Sequence, residues 1–346
     1  EGFATFFSRL YLTKDRGNDE GDYIRLGEIR SFKRADKNKR RPTVDFVYDE
    51  PFELFSSHVY AKGSLILTIL RDVLGEEGFW RSIRKYTNEN KLKNVETSDL
   101  KKTIEMTTGQ NLDWFFKQWL YEPGFPNYDV SWNYNQRKKE LSIHVKQTQD
   151  LKTTSLFKMP IKIIVDNGEK KEHVIWVDNL DSVYKIKSDK RPKMVIFNSG
   201  QRVPSNLKMQ KSVADLKYQL QNASNALDRI WAAHELSKKK GRKVVEYALM
   251  EAAKRDLFWA VRSEAYSALG RLKTNIVSED IEWVKRKEVS TYLLFGVLGG
   301  ASTSIVLYID QLMLNKMISL SAVGVYSIMF FASNLISIPS RNLRRI

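Results

Sequence analysis

Apolar positions in the first third of the chain recur at the three-to-four-residue spacing of helices that bury one face. Val59, Leu65, Ile66, Ile69, Leu70 and Val73 form one such stripe, which ends at Gly75, a residue suited to close a helix C-terminus. Phe79, Trp80, Ile83 and Tyr86 mark a second helix directly after it. Leu100 and Ile104 mark a third, with Thr97 or Ser98 as N-cap and Gly109 as its stop. Leu112, Phe115, Phe116, Trp119 and Leu120 share a broad face of a fourth, which Pro123, Gly124 and Pro126 break. Between Thr13 and Pro51 charge is dense, and the pattern predicts a solvated loop carrying the basic run Lys33, Arg34, Lys37, Lys39, Arg40 and Arg41.

From Tyr128 the period falls to two. Tyr128, Val130, Trp132 and Tyr134 alternate with polar residues, as do Leu141, Ile143 and Val145, which predicts half-buried strands. Ile161 to Val165 and Val174 to Val177 flank the turn residues Asp166, Asn167 and Gly168, and Met194 to Phe197 closes the series. A small β-sandwich over 127–203 accommodates these strands. Helical spacing returns beyond Pro204. Finally, Tyr292 to Ile309 and Met317 to Ile338 are uncharged runs of 18 and 22 residues, each close to the roughly 20 residues that span a bilayer core. Lys285 to Lys287 precede the pair, and Arg341, Arg344 and Arg345 follow it, so the predicted element is a transmembrane hairpin with both ends cytoplasmic. The alternative is a buried hairpin within a soluble fold.

Composition narrows the chemistry. The 346 residues contain no cysteine, which excludes disulfides, thiolate metal sites and a cysteine nucleophile. The net charge of +16 comes from basic residues interleaved with acids in predicted loops, without a reading helix or stacking platform, and no nucleic-acid partner is inferred from it. His58, His144, His173 and His234 are scattered; no H-E-x-x-H pair, phosphate-binding glycine loop or G-x-S-x-G elbow is present. No complete active site emerges from generic motifs.

The order of short segments says more. Glu1-Gly2-Phe3-Ala4-Thr5, then His58-Val59-Tyr60-Ala61-Lys62-Gly63, Leu74-Gly75-Glu76-Glu77-Gly78-Phe79, Gly109 to Trp119 and Pro123 to Pro126 together resemble the aminopeptidase N family of zinc metallopeptidases, in family order over about residues 1–200. The resemblance implies that Glu1 is the third zinc ligand, the glutamate that completes a His₂Glu set and leaves a fourth position for the catalytic water. It implies that the Tyr60 hydroxyl stabilises the oxyanion of the tetrahedral intermediate. Taken without their neighbours, Glu1 reads as an exposed acid and Tyr60 as a half-buried helix tyrosine. The family's two zinc-binding histidines, its general-base glutamate and its G-x-M-E-N segment have no counterpart in this sequence, so the expectation is a chain that neither holds zinc nor cleaves peptides by itself.

Arg229, Ala232 and Leu236 recur 33 residues later as Arg262, Ala265 and Leu269, a pattern that resembles HEAT-type helical repeats, with an ordinary helical hairpin domain as the alternative. Tyr308 to Met313, Ala322 to Ser327 and Ile338 to Arg341 resemble polysaccharide or lipid-linked oligosaccharide flippases, in which Asp310 is either a functional acid or a cap at the interface. The expected fold class is therefore multidomain α+β. Residues 1–126 supply the C-terminal helical part of a thermolysin-like metallopeptidase domain, 127–203 a β-sandwich, 204–276 HEAT-like repeats, and 285–346 a two-helix transmembrane hairpin. The expected function is a fragment of a zinc-dependent aminopeptidase acting on peptides, joined near 275–290 to a piece of an unrelated transporter and placed at a membrane through residues 292–338. A non-catalytic metallopeptidase-like scaffold and a flippase fragment are the alternatives.

Overall fold

The computed structural model describes residues 1–239, 241 and 243–272. Three helices open the chain: α1 (Gly2–Arg16), α2 (Asn18–Asn38) and α3 (Ala61–Glu89). Helix α2 lies where the charge density predicts a loop. Its buried positions, Gly21, Arg25, Leu26, Glu28, Ile29, Phe32 and Asp36, follow helical spacing, but three of the seven are charged, so the hydrophobic pattern conceals the face that packs. Asp19 and Glu20 in its first turn and Lys37 in its last complement the helix dipole. Helix α3 changes direction at Gly75, whose φ of 71° and ψ of 166° leave the helical region.

Two contacts lock these helices together. Where α1 crosses α3, Gly2 and Gly63 meet backbone to backbone: a Cβ on Gly2 would lie 2.8 Å from the carbonyl carbon and Cα of Gly63, and one on Gly63 would lie 2.8 Å from Cα of Gly2. Farther along, the buried Arg9 Nε donates to both Glu28 carboxylate oxygens at 3.0 and 3.2 Å, and its Nη2 donates to Thr68 Oγ1 at 2.5 Å. Ser64 Oγ donates to Glu28 Oε2 at 3.0 Å, so one ion pair with its hydroxyls joins α1, α2 and α3. Burial lowers the Arg9 pKa and raises that of Glu28, each opposed by the attraction of the other.

Helix α4 (Thr97–Thr108) starts from Glu96, one residue before the expected cap. The Glu96 side chain and Asp99 form a capping box, and Gly109 closes the helix in the left-handed conformation. The short α5 (Asp113–Phe116) continues into a π-helical turn over Lys117–Tyr121. Lys62, fully buried, donates from Nζ to the Glu122 carbonyl at 3.3 Å and stands 5.3 Å from the centre of the Phe32 ring. It thereby ties the start of α3 to the Pro–Gly turn that follows.

Seven strands follow: β1 (Asn127–Asn135), β2 (Glu140–Gln147), β3 (Met159–Asp166), β4 (Lys170–Val177), β5 (Asp181–Lys187), β6 (Met194–Phe197) and β7 (Asn206–Met209). They form two sheets, ordered β5-β2-β1-β7 and β4-β3-β6, antiparallel except for the β1–β7 pair. Alternate residues such as Val130, Ile143, Val145, Ile161, Ile163 and Val165 fill the space between. The core runs unbroken from the helices into the sandwich, because Trp119 packs on Phe157 with ring centres 4.8 Å apart and Gln118 exchanges hydrogen bonds with the Lys158 backbone.

Four helices complete the described chain: α6 (Val213–Asn222), α7 (Ala226–Leu236), α8 (Lys243–Arg255) and α9 (Trp259–Leu272). The internal repeat has a physical content. Arg229 Nη1 donates to the carbonyls of Ala223 and Ser224, and Arg262 Nη1 donates to those of Asp256 and Leu257, the positions 33 residues on. The HEAT-repeat expectation is nevertheless corrected. Solenoid repeats touch only their neighbours, whereas α7 packs on α2 and on the 3-10 turn Ser199–Gln201, and α6 touches β6. Asp228 of α7 accepts from Ser199 Oγ at 2.6 Å and Gly200 N at 2.9 Å, while Arg25 of α2 donates to the Gly200 carbonyl at 2.6 Å. These helices are a layer of the same body.

The fold class is also corrected at the C-terminus. The expected transmembrane hairpin at 285–346 lies outside the described residues, and among the described residues no helix is long and apolar enough to cross a membrane. The architecture is mixed α/β, and the membrane placement through residues 292–338 is withdrawn along with the hairpin.

Three measurements test this packing. Glu28→Gln leaves Arg9 buried without a counter-charge and is expected to cost about 3–5 kcal/mol in urea unfolding; the Arg9→Met, Glu28→Gln pair should lose clearly less than the two single losses added. Gly63→Ala drives a methyl into the Gly2 backbone and is expected to cost about 1–3 kcal/mol, a loss absent from Gly78→Ala, where the new Cβ meets nothing closer than 3.6 Å. Burial depresses the Lys62 pKa from 10.5 to about 8. Between those values the unfolded chain binds more protons, so stability rises with pH; the Lys62 share is full above 10.5 and is lost as pH falls through about 8. Lys62→Met should reduce that slope by up to about 1.4 kcal/mol per pH unit, leaving the parallel shares of Lys33 and Lys211, which burial lowers likewise.

Candidate active site

The Gly2–Gly63 crossing sets the geometry of the two residues singled out in the sequence. Glu1 immediately precedes α1, where its carbonyl accepts from Thr5 N at 3.1 Å while its side chain caps nothing. Tyr60 immediately precedes α3, anchored by its N–H on the Ser56 carbonyl at 3.2 Å. With the two helix starts in backbone contact, the Tyr60 phenol lies near enough to the Glu1 carboxylate to feel its charge. Desolvation raises the Tyr60 pKa, and the negative charge of Glu1 raises it further. The phenol therefore keeps its proton well above neutral pH. Phe55 lies beside it, with ring centres 6.5 Å apart.

Glu1 stands at the edge of an open cleft of about 370 Å³ whose walls include Phe3, Ile66, Tyr86, Leu100 and Phe116. The Glu1 carboxylate thus borders an apolar hollow, and Tyr60 stands outside its lining. Such an arrangement orients a polar substrate group while its apolar part enters the cleft.

The histidines are elsewhere. His58, two residues before Tyr60, points into the helical core against Phe32, with Ser56 Oγ 3.3 Å from Nδ1 and Asp36 Oδ1 3.9 Å from Nε2. His144 pairs with Asp181 on the outer face of the β2–β5 pair, and His234 of α7 lies 3.5 Å from Glu264 of α9. Among the described residues no group of three or more His, Asp or Glu side chains is placed to hold a metal ion.

Sequence reasoning missed the residues that position Glu1 and Tyr60. Gly2 and Gly63 occur in the two quoted segments, and their smallness was the available signal for a close crossing. Lys62 occupies the same segment as Tyr60, yet its burial could not be inferred from a residue type that is almost always solvated.

Residues 1–119 match the family model described as Peptidase family M1 domain. Among curated proteins, the chain is 33% identical over 133 residues to Tricorn protease-interacting factor F2 of Thermoplasma acidophilum, covering 36% of this chain and 17% of that protein. It is 30% identical over 130 residues to Probable aminopeptidase 1 of Saccharolobus solfataricus, covering 36% and 17%. It is 25% identical over 194 residues to Glutamyl aminopeptidase of Rattus norvegicus, covering 53% and 20%. The chain thus spans about a fifth of the length of these relatives. Among solved structures, the crystal structure of Legionella pneumophila aminopeptidase A in complex with aspartic acid superposes with a TM-score of 0.63 at 18% identity, covering 91% of this chain and 37% of that one, a likeness of fold. None of these similarities supports the flippase resemblance of residues 285–346, which is not carried further. Through residues 1–119 the chain is similar to the Peptidase family M1 domain, and the aminopeptidases among its relatives support an M1 aminopeptidase family.

Proposed function

We propose that residues 1–119 contribute the glutamate-and-tyrosine side of an aminopeptidase site that removes N-terminal residues from peptides. The observation that carries this reading is the nearness of the Tyr60 phenol to the Glu1 carboxylate, beside the apolar cleft that Glu1 lines, set by the Gly2–Gly63 crossing. M1 aminopeptidases are in general zinc-dependent, the metal supplying a Lewis acid for the scissile carbonyl. A catalytic zinc takes three protein ligands. Glu1 is one, no further ligand group accompanies it among the described residues, and the sequence contains no H-E-x-x-H. The residues present therefore do not fit zinc by themselves, and no step is derived through it.

The remaining chemistry belongs to Tyr60. A tetrahedral intermediate places negative charge on the former carbonyl oxygen. A neutral phenol that donates a hydrogen bond to that oxygen stabilises it without bringing a competing charge. The raised pKa keeps the donor proton in place through the neutral range.

Calorimetric titration of the chain with zinc is expected to show no tight stoichiometric site, and an aminoacyl-anilide substrate to remain uncleaved; a tight one-to-one site overturns this account. In a chain lengthened upstream by an H-E-x-x-H segment, Tyr60→Phe should lower kcat by about 10²–10³ with little change in KM, and Glu1→Gln should remove the metal. A lengthened chain that binds no zinc would favour a non-catalytic, metallopeptidase-like scaffold instead.

A further inference from the structure

A second cavity lies away from the Glu1 cleft, between β6 and β7 of the sandwich, helices α6 and α7, and Lys33 of α2. It encloses about 250 Å³. Lys211 and Lys33 line it, with Trp231 and the apolar Val203, Leu207 and Met209. We propose that this cavity binds a phosphate group, with the ammonium groups of Lys211 and Lys33 supplying the charge that holds it.

Both lysines lack a carboxylate partner among the described residues. Lys211 is buried, and its Nζ donates to the Val195 carbonyl at 2.5 Å and to Gln219 Oε1, while the Trp231 ring centre stands 5.4 Å away. Lys33 is half-buried, and its Nζ donates to the Ser205 carbonyl and stands 5.4 Å from the centre of Phe125. Carbonyls and rings soften an ammonium's desolvation but do not neutralise it. Among the described residues neither lysine has a carboxylate partner, although ion pairs are plentiful elsewhere on the chain.

The acids in the lining are otherwise engaged. Asp228 accepts from Ser199 Oγ and Gly200 N, and although its charge is felt by Lys211, it makes no hydrogen bond to it. Glu235 accepts from Lys238 at 2.5 Å. An ammonium has three donors, so Lys211 keeps one and Lys33 two beyond the bonds described. Burial lowers both lysines to about 8, the mark of positive charge held where water screens it poorly.

Two lysines lining one hollow match a dianion better than a monoanion, and lysine binds phosphate as a point charge. The apolar wall leaves room beside the phosphate for a small organic substituent. Free inorganic phosphate and a phosphomonoester share the recognised chemistry, and the experiment separates them.

The full chain is titrated calorimetrically, at constant ionic strength, with inorganic phosphate, glycerol 1-phosphate and acetate. Saturable one-to-one binding of phosphate is expected, together with a rise in Tm on adding it. Lys211→Met and Lys33→Met should each weaken it on the order of tenfold or more. Tighter binding of glycerol 1-phosphate would identify a monoester as the source, and equal or weaker binding the free ion; both support the site. Because Lys211→Met removes a buried charge that lacks a counter-charge, its Tm without phosphate should equal or exceed that of the parent, which separates lost binding from lost folding. Lys33→Met, at a half-buried position, supplies the same test should Lys211→Met not fold. Absence of saturation up to about 10 mM, acetate binding as tightly as phosphate, or unchanged affinity in a folded variant would each overturn the proposal.

Discussion

The contact on which the rest depends is the backbone approach of Gly2 to Gly63. Two helices that cross through side chains stand about 8–10 Å apart; removing both side chains at the crossing draws the start of α1 onto the start of α3. That proximity has two consequences. It places Glu1, just outside α1, against Tyr60, just outside α3. It also sets α1 close enough for Arg9 to reach Ser64 and Thr68 on α3 while pairing with Glu28 on α2. The candidate site and the polar anchor of the helical layer are thus two ends of one packing decision.

This body is held by polar groups in places where an apolar core would be the simpler solution. Arg9 with Glu28, Arg25 with the Gly200 carbonyl, and Asp228 with the Ser199–Gly200 turn are buried links between separate elements. Each works only in one geometry, because a displaced partner leaves a charge without solvent or counter-charge. Apolar contacts tolerate sliding, but these do not. The strength of the arrangement is therefore registry: α2 is fixed to α1 and α3 on one side and, through Arg25, to the turn that precedes β7 on the other.

The same feature explains what could be read from the sequence. The strands were legible because Val130, Ile143, Val145 and Ile163 alternate cleanly with solvated residues, and α3 because Leu65, Ile66, Ile69 and Leu70 recur at helical spacing. Helix α2 was not, because Arg25, Glu28 and Asp36 occupy buried positions that pattern reading assigns to solvent. The cap of α4 shifted to Glu96 for a related reason: a glutamate is an uncommon cap, and Asp99 three residues on makes it work. Strand β7 is four residues long and pairs in parallel with β1, a contact that four residues cannot announce. At the site, Glu1 and Tyr60 were named from their segments, but their meeting was not, since 59 positions separate them and the glycines that join them carry no chemistry of their own.

The net charge acquires a different meaning once these positions are known. From composition, +16 is a property of solvated loops. Yet Lys33, Lys62 and Lys211 point inward, each satisfied by a backbone carbonyl and an aromatic face rather than by an acid. A carbonyl and a ring supply only partial charges, so positive charge accumulates inside the fold as well as around it. For Lys62 the geometry is closed, since the fully buried ammonium bridges the start of α3 to the Glu122 turn. For Lys33 and Lys211 it opens on a cavity. The same side-chain chemistry is thus a brace in one setting and a recognition element in the other, and the difference lies in whether the third dimension is filled by protein.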